Sequence, residues 1–242
     1  MTQLLISVKD VEESMLARYA DVDIIDLKDP ENGALGALST DVVGQIVSKI
    51  EGAAFISATV GEGHTSVSAL VDDINAYASL GVDVVKLSVS DLFLQKDFFT
   101  EMLQITTKGI KLVAVFFAEN PIDLMLIKTL QQHGFYGAML DTQLKTRSLL
   151  DARTSESINA FTMQCKKHHL ISGLAGSVNK NHLNELMQFK PNFIGMRGGV
   201  CDGKKRTAKL LQDEVVAAHK MLLNYNTAKG ISQNMLPTGL HV

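Results

Sequence analysis

Short apolar, β-branched runs alternate with longer amphipathic stretches along the whole chain. The runs fall at 4–8, 23–27, 54–59, 84–87, 111–117, 138–141, 170–174 and 193–196. Stretches with apolar residues at helical spacing follow them, at 11–20, 42–49, 66–80, 98–108, 122–133, 156–168, 180–189 and 213–225. Strands that read as continuous apolar runs belong to parallel sheets covered on both sides, and their alternation with helices predicts repeated βα units. A doubly wound open sheet shares this alternation. Eight regular repeats of about 30 residues each favour closure into a single (β/α)₈ TIM barrel, an α/β fold that typically needs about 250 residues.

Boundary residues support the reading. Pro121 follows Asn120 at what reads as a first helical position, and Gly81, Gly109 and Gly134 stand where helix C-caps are expected. No Pro/Gly/Ser linker divides the chain, so residues 1–225 read as one barrel domain. Residues 226–242 mix Gly, Pro, Ser and Asn without periodicity and are expected to form a flexible C-terminal tail.

Composition narrows the function classes. The 242 residues are 46% hydrophobic and 20% charged, with a mean hydropathy of +0.12, values of a globular protein with a substantial core. The 23 Lys and Arg against 26 Asp and Glu give a net charge of −3 without any long block of like charge. That balance excludes an electrostatic footprint for nucleic acid or an anionic membrane and points to small-molecule partners. The N-terminal apolar run is too short for a signal peptide or a membrane span, so a cytoplasmic location is expected. Two cysteines, Cys165 and Cys201, form neither a disulfide framework nor a zinc pair. His133, His168 and His169 lie at helix ends without metal-like spacing, and no nucleotide fingerprint occurs, so neither metal nor organic cofactor is expected. Barrels of this size often associate, and a homo-oligomer is expected.

In a barrel the chemistry sits at the C-terminal ends of the strands. The second run ends Asp26-Leu27-Lys28, the fourth carries Lys86, and the sixth ends Leu140-Asp141-Thr142 with Lys145 close behind. Asp26 and Lys28 are two apart and share one face of a strand. Lys86 lies among apolar residues, where a cation is costly unless it is paired or has a task. Desolvation and neighbouring cations can leave a lysine amine neutral and able to attack a carbonyl carbon, with Asp26 and Asp141 moving protons. Any one lysine could instead bridge a strand-end carboxylate or snorkel to water. Three lysines and two aspartates at one barrel end favour chemistry.

Glycine-rich loops follow the last two runs: Gly173-Leu174-Ala175-Gly176-Ser177 and Gly195-Met196-Arg197-Gly198-Gly199. In barrels these loops commonly hold a substrate phosphate on backbone N–H groups. Gly176, Ser177, Arg197, Gly198 and Gly199 are therefore the candidate phosphate contacts, Ser177 adding a hydroxyl and Arg197 a cationic fork. Ordinary tight βα turns are the alternative. The segment from Ser57 to His64 could supply a lid or a further anion contact. The loop at 142–154, with Lys145, Arg147 and Arg153, could cover the site or bind a second phosphate. The residues alone thus suggest imine chemistry on a phosphorylated carbonyl compound, in the manner of a class I aldolase.

Four ordered segments are similar to a known family: 25–36 (IDLKDPENGALG), 57–61 (SATVG), 138–142 (AMLDT) and 174–177 (LAGS). Together they resemble the (5-formylfuran-3-yl)methyl phosphate synthases, over the chain from the first strand to about Ala218. The resemblance implies a barrel lyase of methanofuran biosynthesis and one-carbon metabolism. Its reaction condenses two molecules of glyceraldehyde 3-phosphate into 4-(hydroxymethyl)-2-furancarboxaldehyde phosphate, losing phosphate and water. By the same resemblance Lys28 is the Schiff-base nucleophile, with Asp26, Lys86, Asp141 and Lys145 as the other active-site positions. An aldolase or isomerase acting on another sugar phosphate would keep the same loops and lysine, and a noncatalytic phosphate-binding barrel would keep the loops alone.

Overall fold

The computed structural model describes residues 1–230. Its strands are β1 (Gln3–Val8), β2 (Ile24–Leu27), β3 (Phe55–Thr59), β4 (Val84–Ser88), β5 (Lys111–Phe117), β6 (Gly137–Asp141), β7 (Ile171–Leu174) and β8 (Phe193–Met196). They pair in chain order, all parallel, and β8 returns to β1 with Leu4 opposite Ile194, so the sheet is a closed barrel and not an open one. The helices are α1 (Val11–Tyr19), α2 (Thr40–Ile50), α3 (Val67–Ser79), α4 (Phe98–Thr107), α5 (Met125–Gln132), α6 (Leu149–Ala152), α7 (Ser155–Lys167), α8 (Lys180–Gln188) and α9 (Gln212–Ala228). Each amphipathic stretch contains a helix. The short α6 lies in the connection after β6, where Ser148 and Asp151 form a reciprocal capping box. Among the described residues no helix is long and apolar enough to cross a membrane.

The period-2 alternation of the strands sorts side chains into two layers. Leu4, Ile6, Ile25, Leu27, Val85 and Leu140 point outward and pack beneath the helices. Leu5, Ile24, Val84, Val113, Met139 and Phe193 fill the barrel interior. Gly173 belongs to this inner layer because Phe193 occupies the place of its side chain: a Cβ there would lie 2.1 Å from the ring. Above this layer the inward positions turn polar.

Three side chains tie the opposite end. The residue before β2, β4 and β8 accepts the amide of the neighbouring strand: Asp23 from Leu4, Asp83 from Ile56 and Asn192 from Ser172, each at 2.8 Å. Asp23 therefore acts as a side-chain acceptor just outside the strand predicted to include it. These bonds satisfy amides at the barrel floor and help to hold strand register.

Two boundaries differ from expectation. Pro121 does not open a helix, because the Asp123 carboxylate accepts the Met125 amide and the helix begins at Met125 instead. The last helix runs to Ala228, past the expected boundary at 225. Asn226 is buried, and its amide group accepts from Thr2 N at 3.2 Å and donates to Thr2 O at 3.0 Å. Residues 226–228 are thus part of the barrel's helical layer, while 231–242 lie outside the described residues. Gly81, Gly109 and Gly134 do end helical segments with φ of 93°, 89° and 73°.

The ring of Phe193 predicts the cost of filling Gly173. Gly173→Ala overpacks a closed interior and is expected to lower unfolding free energy by about 1–3 kcal/mol, read as a shifted urea midpoint. An unchanged midpoint would mean that Phe193 swings aside freely.

Candidate active site

The polar layer is assembled by register. Ser7, Asp26 and Ser57 stand opposite one another on β1, β2 and β3. Both hydroxyls donate to the carboxylate between them, Ser7 to Asp26 Oδ2 at 2.8 Å and Ser57 to Asp26 Oδ1 at 2.7 Å. Lys86, inward on β4, adds an ion pair to Asp26 Oδ1 at 2.5 Å. Asp26 is 1% exposed and Lys86 3%. A carboxylate so deeply placed is costly to bury without such donors around it.

Asp141, at the end of β6, carries the second cluster. Lys28 Nζ lies 3.3 Å from its Oδ2 and Lys145 Nζ 2.7 Å from its Oδ1. The Thr142 amide donates to Oδ1 at 2.7 Å, and Lys145 also donates to the Thr142 carbonyl. Asp26 and Lys28 point to the same side, as their spacing predicts, while Leu27 faces the helices. All five candidates line one cavity of about 480 Å³ at the C-terminal end of the strands.

Electrostatics follows from this crowding. Burial alone would raise the Asp141 carboxyl, but Lys145 and Lys28, with hydrogen bonds from Lys145 and the Thr142 amide, outweigh it and hold the group down to about 2. Burial pushes the Lys86 ammonium below its ordinary range, and the charge of Lys28 adds to the effect against the pull of Asp26. Lys145 is lowered in the same way, by burial and by the charges of Lys28 and Arg206, against Asp141. Lys86 and Lys145, both lowered by burial, are groups that can exchange protons closer to neutrality than free lysine does.

The other wall of the cavity is built from the loops after β7 and β8. Gly176, at φ +112°, passes so close to the sixth strand's end that a Cβ would fall 2.7 Å from the Thr142 amide. Gly199 packs against the preceding loop, where a Cβ would meet Val178 O at 2.3 Å. Gly176, Ser177, Gly198 and Gly199 all line the cavity.

The whole length of this architecture matches one description. Residues 4–219 match the 4-HFC-P synthase family. The chain belongs to that family. A (5-formylfuran-3-yl)methyl phosphate synthase of Methanocaldococcus jannaschii is 29% identical over 231 residues, covering 90% of this chain and 98% of the relative. A Methylorubrum extorquens protein, which carries the same name in provisional form, is 35% identical over 210 residues, 86% of each chain. Among solved structures, phosphoribosyl anthranilate isomerase of Thermus thermophilus aligns with a TM-score of 0.65 at 11% identity, over 93% of this chain and 100% of its own. A 3-hexulose-6-phosphate synthase of Salmonella typhimurium gives 0.64 at 14%, over 93% and 100%. At these identities the likeness is one of fold.

Within this synthase-family barrel several expected contacts turn elsewhere. Arg197 lines the cavity, but its guanidinium does not present the expected fork. Nη1 donates to Glu13 Oε2 and Ser7 O, Nη2 to Glu13 Oε1, and Nε to Arg206 O at 2.5 Å. Glu13, on the buried side of α1, neutralises it. Arg147 and Arg153 donate to the carbonyls of Asp151 and Asn120 and do not line the cavity. The segment from Ser57 to His64 braces the loop after β2: Thr59 donates to Gly36 O at 2.9 Å and Glu62 accepts from Leu35 N at 2.7 Å. Cys201 is buried, its thiol pushed up to about 11 by burial, and is no nucleophile at neutral pH. The sequence reading missed Ser7 and the tie of Ser57 to Asp26, which are silent inside apolar strands, and Lys204, Lys205 and Arg206, which line the cavity from the β8–α9 connection.

The depressed Asp141 carboxyl has a defined pH signature. Its folded value of about 2 lies below the ordinary 3.8, so its stabilisation is complete above the ordinary range and is lost as pH falls through about 2. Carbon-13 NMR of the aspartate carboxyls should show one that stays ionised as pH drops through 3.8. Asp141→Asn should remove that resonance and cost about 3–5 kcal/mol at pH 7, because it leaves the buried Lys28 and the half-buried Lys145 ammonium groups without their anion. A variant with wild-type stability would contradict this account of the cluster.

Proposed function

We propose that this protein is a (5-formylfuran-3-yl)methyl phosphate synthase that condenses two molecules of glyceraldehyde 3-phosphate through an imine on Lys28. The observation that carries the proposal is the contact of Lys28 with Asp141, which Lys145 also touches, in the cavity of a family member matched over 4–219. The overall balance is C6H14O12P2 to C6H7O6P with release of one phosphoric acid and two waters, so no external oxidant or reductant enters.

Lys28 Nζ, as the neutral amine, adds to the carbonyl carbon of one triose phosphate, and loss of water leaves a protonated imine. Asp141, 3.3 Å from Lys28 Nζ, stays ionised and stabilises that cation. The iminium then withdraws electrons from the adjacent carbon, which loses a proton and attacks the aldehyde of the second triose. Lys145 and Lys86, both lowered by burial, move protons during addition and dehydration. Asp26 fixes Lys86 through its ion pair and is itself fixed by Ser7 and Ser57. The amides of Gly176, Ser177, Gly198 and Gly199 hold one substrate phosphate, a role supported by their place on the cavity wall. Elimination of phosphate, ring closure and aromatisation supply the driving force.

Incubation with glyceraldehyde 3-phosphate should yield the furancarboxaldehyde phosphate by mass spectrometry, and borohydride should fix a triose adduct on Lys28. Lys28→Ala should lose both, with turnover down by more than about 1,000-fold if covalent catalysis is removed (about 4 kcal/mol of barrier). Trapping on Lys86 or Lys145 in the wild type would overturn the assignment of the nucleophile. Folded protein that makes no furan would overturn the reaction.

A further inference from the structure

A reaction on two phosphorylated trioses must bind two phosphates in one cavity, and the loops after β7 and β8 provide one backbone cradle. We propose that Lys204, Lys205 and Arg206 form a second, cationic phosphate subsite on the β8–α9 connection. This proposal rests on the two-triose reading above.

Charge is the first argument. The cavity is lined by seven Lys and Arg side chains and only two Asp. Lys86 is paired with Asp26, Lys28 and Lys145 with Asp141, and Arg197 with Glu13. Among the described residues none of Lys204, Lys205 and Arg206 pairs with a carboxylate. Within a chain of net charge −3, unpaired positive charge is therefore gathered on this rim of the cavity, where it matches a phosphate dianion.

The segment is also held in place. The Asp202 amide donates to Lys209 O at 2.9 Å, and the Lys204 amide to Cys201 O at 3.0 Å. Arg197 Nε grips the Arg206 carbonyl at 2.5 Å, while Arg206 Nη1 reaches across to Gly33 O at 2.9 Å. Arg206 thus joins the loop after β8 to the loop after β2 and keeps its other guanidinium nitrogens for a ligand. Arg206 and Lys145 line the same cavity, which puts the subsite beside the reacting centre.

Calorimetric titration of the full chain with inorganic phosphate at low ionic strength tests this directly. The wild type should bind two phosphates per chain. K204E/K205E, which keeps the tether of Arg206 to Gly33, and R206A should each weaken one of the two by at least tenfold and leave the other within twofold. Both substitutions lie on an exposed or half-exposed loop, and a thermal melt checks folding. With glyceraldehyde 3-phosphate, the same variants should raise KM at least tenfold with a smaller change in kcat. One phosphate or none on the wild type, or two unchanged phosphates on both variants, would overturn the subsite. If the subsite titrates as expected but the wild type makes no furan, the subsite stands and the reaction reading falls.

Discussion

Charge balance inside a low-dielectric cavity is the constraint on which this site depends. Beneath the polar layer the barrel is hydrocarbon, and a carboxylate or ammonium placed on top of it keeps its charge only through neighbours of opposite sign or matching donors. Asp26 has two hydroxyls and one ammonium, and Asp141 has two ammonium groups and one backbone amide. The two arrangements have different consequences. Around Asp26 two of the three partners are short side chains on the adjacent strands β1 and β3, so its position is set largely by sheet register. Around Asp141 two of the three partners are lysines on long stems from β2 and from the loop after β6, so its position depends less on sheet register.

Much of the fold was legible because parallel strands buried on both faces leave a plain mark: eight apolar runs, separated by helical periodicity. The site was legible where charge interrupts such a run. Lys86 and the Asp26–Lys28 pair break the hydrophobic pattern, and period-2 geometry already assigns Asp26 and Lys28 to one face. The ties of Ser7 and Ser57 to Asp26 were not legible, because a serine in a strand reads as neutral until sheet register sets it beside that carboxylate. Arg197 was misread for a related reason. Its partner Glu13 lies 184 residues earlier on the buried side of a helix, and glutamate in a first helical turn ordinarily reads as solvated. Asn226 pairs with Thr2 across 224 residues, so local composition marked it as tail.

The buried Glu13–Arg197 pair gains its meaning from what Arg197 does besides neutralising Glu13. Buried ion pairs are weak evidence for stability, since well-packed apolar residues often do as well. This one, however, donates to two backbone carbonyls with different duties, Ser7 O on β1 and Arg206 O on the β8–α9 connection. Ser7 holds Asp26, and Arg206 carries a cation at the rim. One guanidinium therefore links the Asp26–Lys86 cluster to the cationic rim, a relation that apolar side chains could not fix.

The rim as a whole is tied through backbone atoms. Leu35 N and Gly36 O join the loop after β2 to the loop after β3, and Arg206 joins it to the loop after β8. Ser177 donates to Lys145 O and Leu149 N donates to Gly176 O, linking the loops after β6 and β7. Lys145 also pairs with Asp141, whereas Arg206 is positioned by main-chain partners with no carboxylate of its own among the described residues. A cation positioned in this way can pair with an incoming phosphate without first breaking an equally strong ion pair. Preorganisation of that kind is what the proposed two-triose reaction requires, because the repulsion between two dianions must be offset before either carbonyl reaches an amine.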